Sequence, residues 1–321
     1  MICIGTVKVI DGGALTTIQD LGRFGYQAYG VPQSGAMDGY AFRLGNIALG
    51  NPENSPGLEC TVAGPVLEMQ DDQILCITGA DMGASLDGAP CPMWRTVFAG
   101  KGSVLRFQGL KSGCRTYINF GGGISCTPVL GSASTFLRAS IGGMGGRELR
   151  AGDSLTTGGG TADFKDIAIP EDMRPGAGCN IQQIRVLTGP GDQLFSRQAV
   201  DVFLESRYHV SGRADRMGYR LSGPAVKNDN TLSVFSQGMP LGGVQVDGDG
   251  VPIVLLRDRQ TVGGYPVIAT VITADVDLFA QLKPGDGVSF RAVTLPEAVA
   301  LYRERQNRIE LFKKSCCYPG T

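Results

Sequence analysis

The sequence predicts a mainly β protein built as two tandem β-barrel lobes, with a few short helices and a C-terminal helix. Three observations lead there. Glycine accounts for 48 of the 321 residues, more than twice its ordinary share of about 7%, and follows no G-X-Y period. Such glycines serve turns, bulges and close backbone approaches. Short runs of β-branched and aromatic residues recur between Gly, Asp and Pro, as strands do. A pattern of Leu-x-x-Gly-Asp-x-aliphatic also occurs twice, at Leu149–Leu155 and at Leu282–Val288, near the end of each half.

In chain order, Thr6–Val9, Ile74–Ile77, Ser103–Phe107 and Arg115–Asn119 read as strands. One helix interrupts them. Met37, Tyr40, Ala41, Leu44, Ile47 and Ala48 fall on one helical face, and Gly50 and Pro52 stop it. Ser34 or Asp38 is placed to cap its start. A shorter helix is expected from Ser132 to Gly142-Gly143. Residues Thr156 to Cys179 carry Gly158-Gly159-Gly160, Ile169-Pro170 and Arg174-Pro175-Gly176 and read as a connection. That places an N-terminal lobe at 1–165 and a C-terminal lobe at 180–321. Strands resume at Gln183–Leu187 and run to Val288–Arg291. Thr294-Leu295-Pro296-Glu297 is a capping-box pattern. It opens a closing helix whose apolar stripe is Ala298, Leu301, Tyr302, Ile309 and Phe312.

Composition excludes several functions. There are 29 basic and 30 acidic residues, a net charge of −1, so no general basic face serves nucleic acid or a membrane surface. The start Met1-Ile2-Cys3-Ile4 has no basic region and its apolar run stops at Gly5, which is not a secretory signal. No apolar stretch approaches the ~20 residues of a membrane span. Nine scattered cysteines without C-x-x-C spacing fit reduced thiols and a cytoplasmic location. The single histidine, His209, removes paired-His metal and acid/base schemes, and its setting Tyr208-His209-Val210 is that of an ordinary strand residue. No P-loop, Rossmann fingerprint, EF-hand ladder or Met-Lys-Met biotin-attachment context is present, so no covalently attached biotin is expected on this chain. No metal site is expected.

Three polar, glycine-rich segments stand out. Thr17–Asp38 carries Asp20 and Arg23, spaced to pair with each other or with a ligand. Ser211–Leu221 carries Arg213, Arg216 and Arg220. Guanidinium forks of this kind bind carboxylate or phosphate bidentately, and the same residues also make an ordinary solvated basic turn. Ser236–Pro266 places Gln237, Gln245, Asp258, Gln260 and Tyr265 around a strongly apolar strand. Polar groups there are costly unless they meet a ligand or each other, which makes this segment the best site candidate on chemistry alone.

In order and spacing, Thr17–Asp38, Ser132–Leu155, Arg213–Leu221 and Ser236–Val271 resemble allophanate hydrolase subunit 2. This family is also described as the A/B part of the biotin-dependent carboxyltransferase domain. The resemblance runs from Val7 to about Val293. It implies cyclophilin-like β lobes and work alongside a shorter partner subunit. Members include the C-type subunit of the ATP-dependent 5-oxoprolinase, which also needs a third, lactam-hydrolase subunit. That complex opens the lactam ring of 5-oxoproline to glutamate, with ATP used through the complex. Other members are the A/B half of urea carboxylase, which works with biotin, and a regulator that binds a kinase inhibitor without turnover. The shared substrate feature is a small amide with a poorly electrophilic carbonyl. The first reading is preferred. The resemblance also carries over candidate residues. Gln19, Asp20, Asp258 and Gln260 are the catalytic candidates. Arg23, Arg213, Arg216, Gln237, Gln245 and Tyr265 are the substrate-binding candidates.

Overall fold

The computed structural model describes residues 4–158, 164–175, 181–189, 191–227 and 235–316. Gly159-Gly160, Gly176 and Cys179 of the expected connection, and Cys317-Tyr318 of the tail, lie outside the described residues. The chain divides into two compact units. One comprises Met1–Phe24, Ser34–Ala177 and Asn307–Thr321, the other Gly25–Gln33 and Gly178–Gln306.

The first unit contains β1 (Gly5–Asp11), β2 (Thr16–Gln19), α1 (Gly39–Ala48), β3 (Gly57–Thr61), β4 (Val66–Met69) and β5 (Gln73–Asp81). It continues with β6 (Ala84–Leu86), β7 (Ala89–Pro90), β8 (Thr96–Ala99), β9 (Val104–Phe107), β10 (Ser112–Phe120) and β11 (Ser154–Thr157). The strands form two sheets, β11-β1-β4-β9-β6-β7 and β2-β3-β10-β5-β8. Alternation explains the packing. In β1, Val7 and Val9 point inward while Lys8 faces out, as the period of two requires. They share one core with Leu67, Met69 and Leu105 of their own sheet and with Ile18, Leu58, Leu75, Ile77 and Ile118 of the other.

Helix α1 starts where Asp38 accepts the Ala41 N–H at 2.9 Å and stops before Gly50, whose φ is 71°. Of the two expected caps, Asp38 is the one that acts. The helix buries Tyr40, Leu44, Ile47 and Ala48, and Phe42 meets Tyr117 edge-to-face at 5.7 Å. The expected helix over 132–143 does not form. Only Leu137–Ala139 makes a 3₁₀ turn, enclosed by the bridge Phe136↔Ile141 and preceded by the bridge Val129↔Ser132. Gly131, Gly142, Gly143, Gly145 and Gly146 all take positive φ, which no right-handed helix contains.

The second unit contains β12 (Ile181–Thr188), α2 (Arg197–Glu205), β13 (Arg207–Ala214), β14 (Gly218–Ser222), β15 (Gln237–Gly238) and β16 (Gly243–Val246). Next come β17 (Pro252–Leu255), β18 (Val262–Gly263), β19 (Val267–Val271), α3 (Thr273–Ala280), β20 (Gly287–Ala292) and α4 (Leu295–Ser315). Seven strands close into a barrel in the order β12-β19-β16-β17-β14-β13-β20, sealed by the parallel pair β12–β20. A separate ribbon, β15 with β18, carries the polar third segment. Phe203 of α2 stacks on Phe290 of β20 at 4.6 Å. His209 sits exposed in β13, an ordinary strand position.

Helix α4 begins with Thr294 Oγ1 accepting the Glu297 N–H at 3.4 Å. The Glu297 carboxylate turns to Arg291 at 3.0 Å. Ala298 and Leu301 pack on Ile272 and Ala274, whereas Ile309, Phe312 and Cys316 pack with α1. Among the described residues, no helix is long and apolar enough to cross a membrane.

The repeated Leu-x-x-Gly-Asp pattern is one device built twice. Gly152 and Gly285 sit at φ 92° and 93°. Gly152 N–H donates to Val9 O at 2.9 Å, and Gly285 N–H to Val210 O at 2.8 Å. In return Val9 N–H donates to Asp153 O and Val210 N–H to Asp286 O. Asp153 Oδ2 accepts the Arg150 N–H at 2.8 Å, and Asp286 Oδ2 the Lys283 N–H at 3.0 Å. Each turn launches a strand, β11 or β20, onto the strand that clamps it.

Candidate functional site

In the first unit the segment after β2 is built around a buried carboxylate. Asp20 accepts from Gly22 N–H at 2.8 Å, Ser132 Oγ at 2.7 Å and Ala133 N–H at 2.7 Å, and also from Ser134 Oγ. Arg23, fully buried, donates through Nε to Val129 O at 3.0 Å and through Nη2 to Ser134 O at 2.8 Å. Gln19 donates to Thr17 Oγ1 and Thr135 O, and its Oε1 is buried without a hydrogen bond. All three side chains therefore hold the 129–135 loop, whose Ser132, Ser134 and Thr135 sequence reasoning did not single out.

Beside this network lies a cleft of about 550 Å³ lined by Ile18, Cys126, Ile141, Gly142, Gly143 and Met144. Its glycines are required by close approach. A Cβ on Gly142 would overlap Ser134 O and reach Arg23 Nη2 at 3.1 Å, and one on Gly143 would overlap Thr135 Oγ1. Burial, and then the Asp20 carboxylate, push the Cys126 thiol above its usual range, so this thiol is held in its neutral form. Residues 34–38 are fixed separately. Buried Glu59 accepts from Met37 N–H at 2.7 Å and from Tyr117 Oη at 2.9 Å, and Tyr117 Oη accepts the Asp38 N–H at 2.7 Å. Burial, with Glu59 and Asp38 nearby, raises the Tyr117 hydroxyl well above its ordinary 10.0.

In the second unit one turn, Arg257–Gln260, follows β17 and presents charged and amide groups in succession. Arg216 and Asp258, each 6% exposed, form a buried fork, Nε to Oδ2 at 2.9 Å and Nη2 to Oδ1 at 3.3 Å. The backbone repeats the tie, with Asp258 N–H donating to Arg216 O at 2.8 Å. Gln260 Nε2 donates to Gln245 Oε1 at 3.0 Å. Gln245, itself buried, donates onward to Met239 Sδ at 3.0 Å and Tyr265 O at 3.5 Å. Gly263 is shaped by this contact, since a Cβ there would stand 2.8 Å from Gln245 Nε2. Tyr265 leaves its ring half exposed, and Gln237 pairs with Gly263 across the β15–β18 ribbon. The structure thus brings Arg216, Gln245, Asp258, Gln260 and Tyr265 around one turn.

Arg213 lies elsewhere in this unit. It is exposed and lines a cleft of about 460 Å³ with Ser211, Arg220, Val251 and Pro252. Arg220 is paired with Asp247. The sequence reading gave no role to Arg259 of the third segment, which is 4% exposed. It donates from Nε to Met239 O at 2.9 Å and from Nη1 to Leu256 O at 3.3 Å. Burial and neighbouring Arg257 lower its pKa to about 10. Among the described residues, no cluster of three His, Cys, Asp or Glu is placed to hold a metal ion.

Comparison with known proteins places this arrangement in a family. Residues 29–292 match the family model described as carboxyltransferase domain, subdomain A and B. The chain is 37% identical over 309 residues to the C-type subunit of 5-oxoprolinase from Haemophilus influenzae, covering 96% of this chain and 98% of that protein. It is 37% identical over 305 residues to the Escherichia coli protein of the same name, covering 95% and 96%. Among solved structures, the K. lactis urea amidolyase superposes with a TM-score of 0.91 at 30% identity. That match covers 96% of this chain and 20% of that one, so the chain spans about a fifth of the enzyme.

Proposed function

The chain belongs to the carboxyltransferase family of subdomains A and B, and on that premise we propose that it works as the C-type subunit of an ATP-dependent 5-oxoprolinase. The observation that carries this reading is end-to-end coverage. The 5-oxoprolinase subunits match over nearly their whole length, whereas urea amidolyase extends far beyond this chain. In this role the chain acts in the cytoplasm with a shorter B-type partner and a third, lactam-hydrolase subunit, and ATP is consumed by the complex. The six cysteines among the described residues form no disulfide with one another.

The chemistry asked of the site follows from the substrate. A lactam carbonyl is resonance-stabilised, and opening the ring adds water across the C–N bond, leaving a carboxylate and an amine. Charge gathers on the carbonyl oxygen, where fixed donors are most effective. A lactam also presents its N–H and C=O on one edge. The carboxamide of Gln260 gives one N–H to Gln245 and commits neither its second N–H nor its oxygen to any described residue. That leaves a donor and an acceptor for the lactam edge. Gln245 and the Arg216–Asp258 fork hold Gln260's turn in place. In the first unit we assign Gln19, Asp20 and Arg23 to shaping the cleft at Gly142-Gly143.

The test is substrate choice. The assembled complex is offered 5-oxoproline with ATP, and separately urea with bicarbonate, ATP, a biotin carboxylase and its biotinylated carrier. The reading expects glutamate from the first and no carboxylated urea from the second. The reverse pattern would replace it with the carboxyltransferase reading.

A further inference from the structure

We infer that Arg257 and Arg259 form an anion subsite that takes the carboxylate of a small amide substrate. The inference rests on the 5-oxoproline reading for the identity of that substrate. It moves the anion-binding role to two side chains that lie within the third candidate segment but were given no role there.

The argument begins with charge. A buried guanidinium is costly unless a carboxylate or other anion neutralises it. At this turn, two buried arginines are treated differently. Arg216 has its carboxylate, Asp258. Arg259 has only two backbone carbonyls, Met239 O and Leu256 O, and no described carboxylate lies within ion-pair distance of it. Its Nη2 has no partner among the described residues. Arg257 deepens the imbalance. Its Nε is buried without a hydrogen bond, and its Nη2 has only a long ion pair, 3.9 Å to Asp277 Oδ1, beyond hydrogen-bond range. That same Asp277 is engaged by Arg305.

The surroundings suit a planar, polar ligand. Gln260, with its uncommitted amide edge, is the residue next to Arg259, and Gly263 keeps the neighbouring backbone close to Gln245. The carbonyls that hold Arg259 Nε and Nη1 fix the plane of the guanidinium, leaving its remaining face to a bidentate acceptor. A ligand carrying a cis amide and a carboxylate on adjacent atoms, as 5-oxoproline does, meets Gln260 with one group and the arginines with the other. The depressed pKa of Arg259 agrees with a cation that has no counter-charge until ligand arrives.

The experiment measures binding to the full chain by calorimetry, separately from turnover. The probes are 5-oxoprolinate and 2-pyrrolidinone, the same ring without the carboxylate. The variants are Arg259→Lys, Arg259→Gln and Arg257→Gln, each with its unfolding midpoint recorded. The subsite predicts that 5-oxoprolinate binds at least tenfold more tightly than 2-pyrrolidinone. It also predicts that Arg259→Lys loses that advantage although charge is kept, because ammonium does not reproduce the fork. Unliganded Arg259→Gln should be no less stable than the parent. Equal binding of the two probes, or unchanged 5-oxoprolinate affinity in all three variants, overturns the subsite. So does an Arg259→Gln variant that melts earlier yet binds normally. Arginine-dependent binding of 5-oxoprolinate by a chain whose complex fails to open the ring would leave the subsite standing and remove the 5-oxoprolinase reading.

Discussion

Arg216 and Asp258 show how a residue's chemistry depends on its neighbours more than on its type. By composition, each suits catalysis or anion binding. In the fold they neutralise one another inside the turn that follows β17. Removing one partner strands the other as a buried charge, which costs about 3–5 kcal/mol. Arg216→Ala should therefore lower stability by that order, read as a shift in the urea midpoint. The double replacement Arg216→Met with Asp258→Leu should recover most of it. A loss under about 1 kcal/mol for the single variant would mean that the pair is held open for ligand instead. The same logic separates Arg259 from Arg216. Both were visible as arginines in the sequence, but whether a carboxylate folds back onto either depends on contacts 42 residues apart, which local pattern does not encode. Cys60 and Cys76 make the complementary point. Burial pushes both thiols up to about 12, so they are apolar packing groups and inert as nucleophiles.

At the scale of elements, the two Gly-Asp turns give the most direct prediction. Gly152 and Gly285 share their φ and hydrogen-bond pattern, and a Cβ on either would meet nothing within 4 Å. Replacement by alanine then tests backbone conformation alone, about 1–2 kcal/mol for a residue forced into the left-handed region. Gly152→Ala and Gly285→Ala should lose similar stability, whereas Gly146→Ala, whose Cβ would overlap the Ser140 carbonyl, should lose more. Unequal costs for the matched pair, measured by chemical unfolding, would deny that the turns are equivalent. Strands and α1 were legible because their periods of two and 3.6 are local. The turn pair was legible because Gly-Asp chemistry repeats. The 132–143 segment was misread as a helix, because the positive-φ turns at Gly142 and Gly143 go with a close approach to Ser134 and Thr135 that the local pattern does not show. The two contrasting halves of α4 were not legible either. One apolar stripe satisfies Ala298 and Leu301 in one core and Ile309 and Phe312 in another.

For the whole molecule, the candidate groups suit binding and positioning more than independent catalysis. Asp20 is saturated by four donors within the chain, Asp258 is paired with Arg216, and His209 is an exposed strand residue. Opening a lactam with ATP demands groups that activate phosphate and water, and the proposed C-type role assigns these to partner subunits. The motifs for that role were legible in the sequence as glycine-rich polar segments. What stayed hidden was which of their side chains are spent on holding loops, because burial and pairing emerge only when distant segments meet. The most direct test is glutamate release from 5-oxoproline with ATP, measured for this chain alone, for the two partner subunits without it, and for all three together. The account predicts turnover only in the complete mixture. Glutamate formed by the isolated chain, or by the partners at full rate without it, would contradict the account.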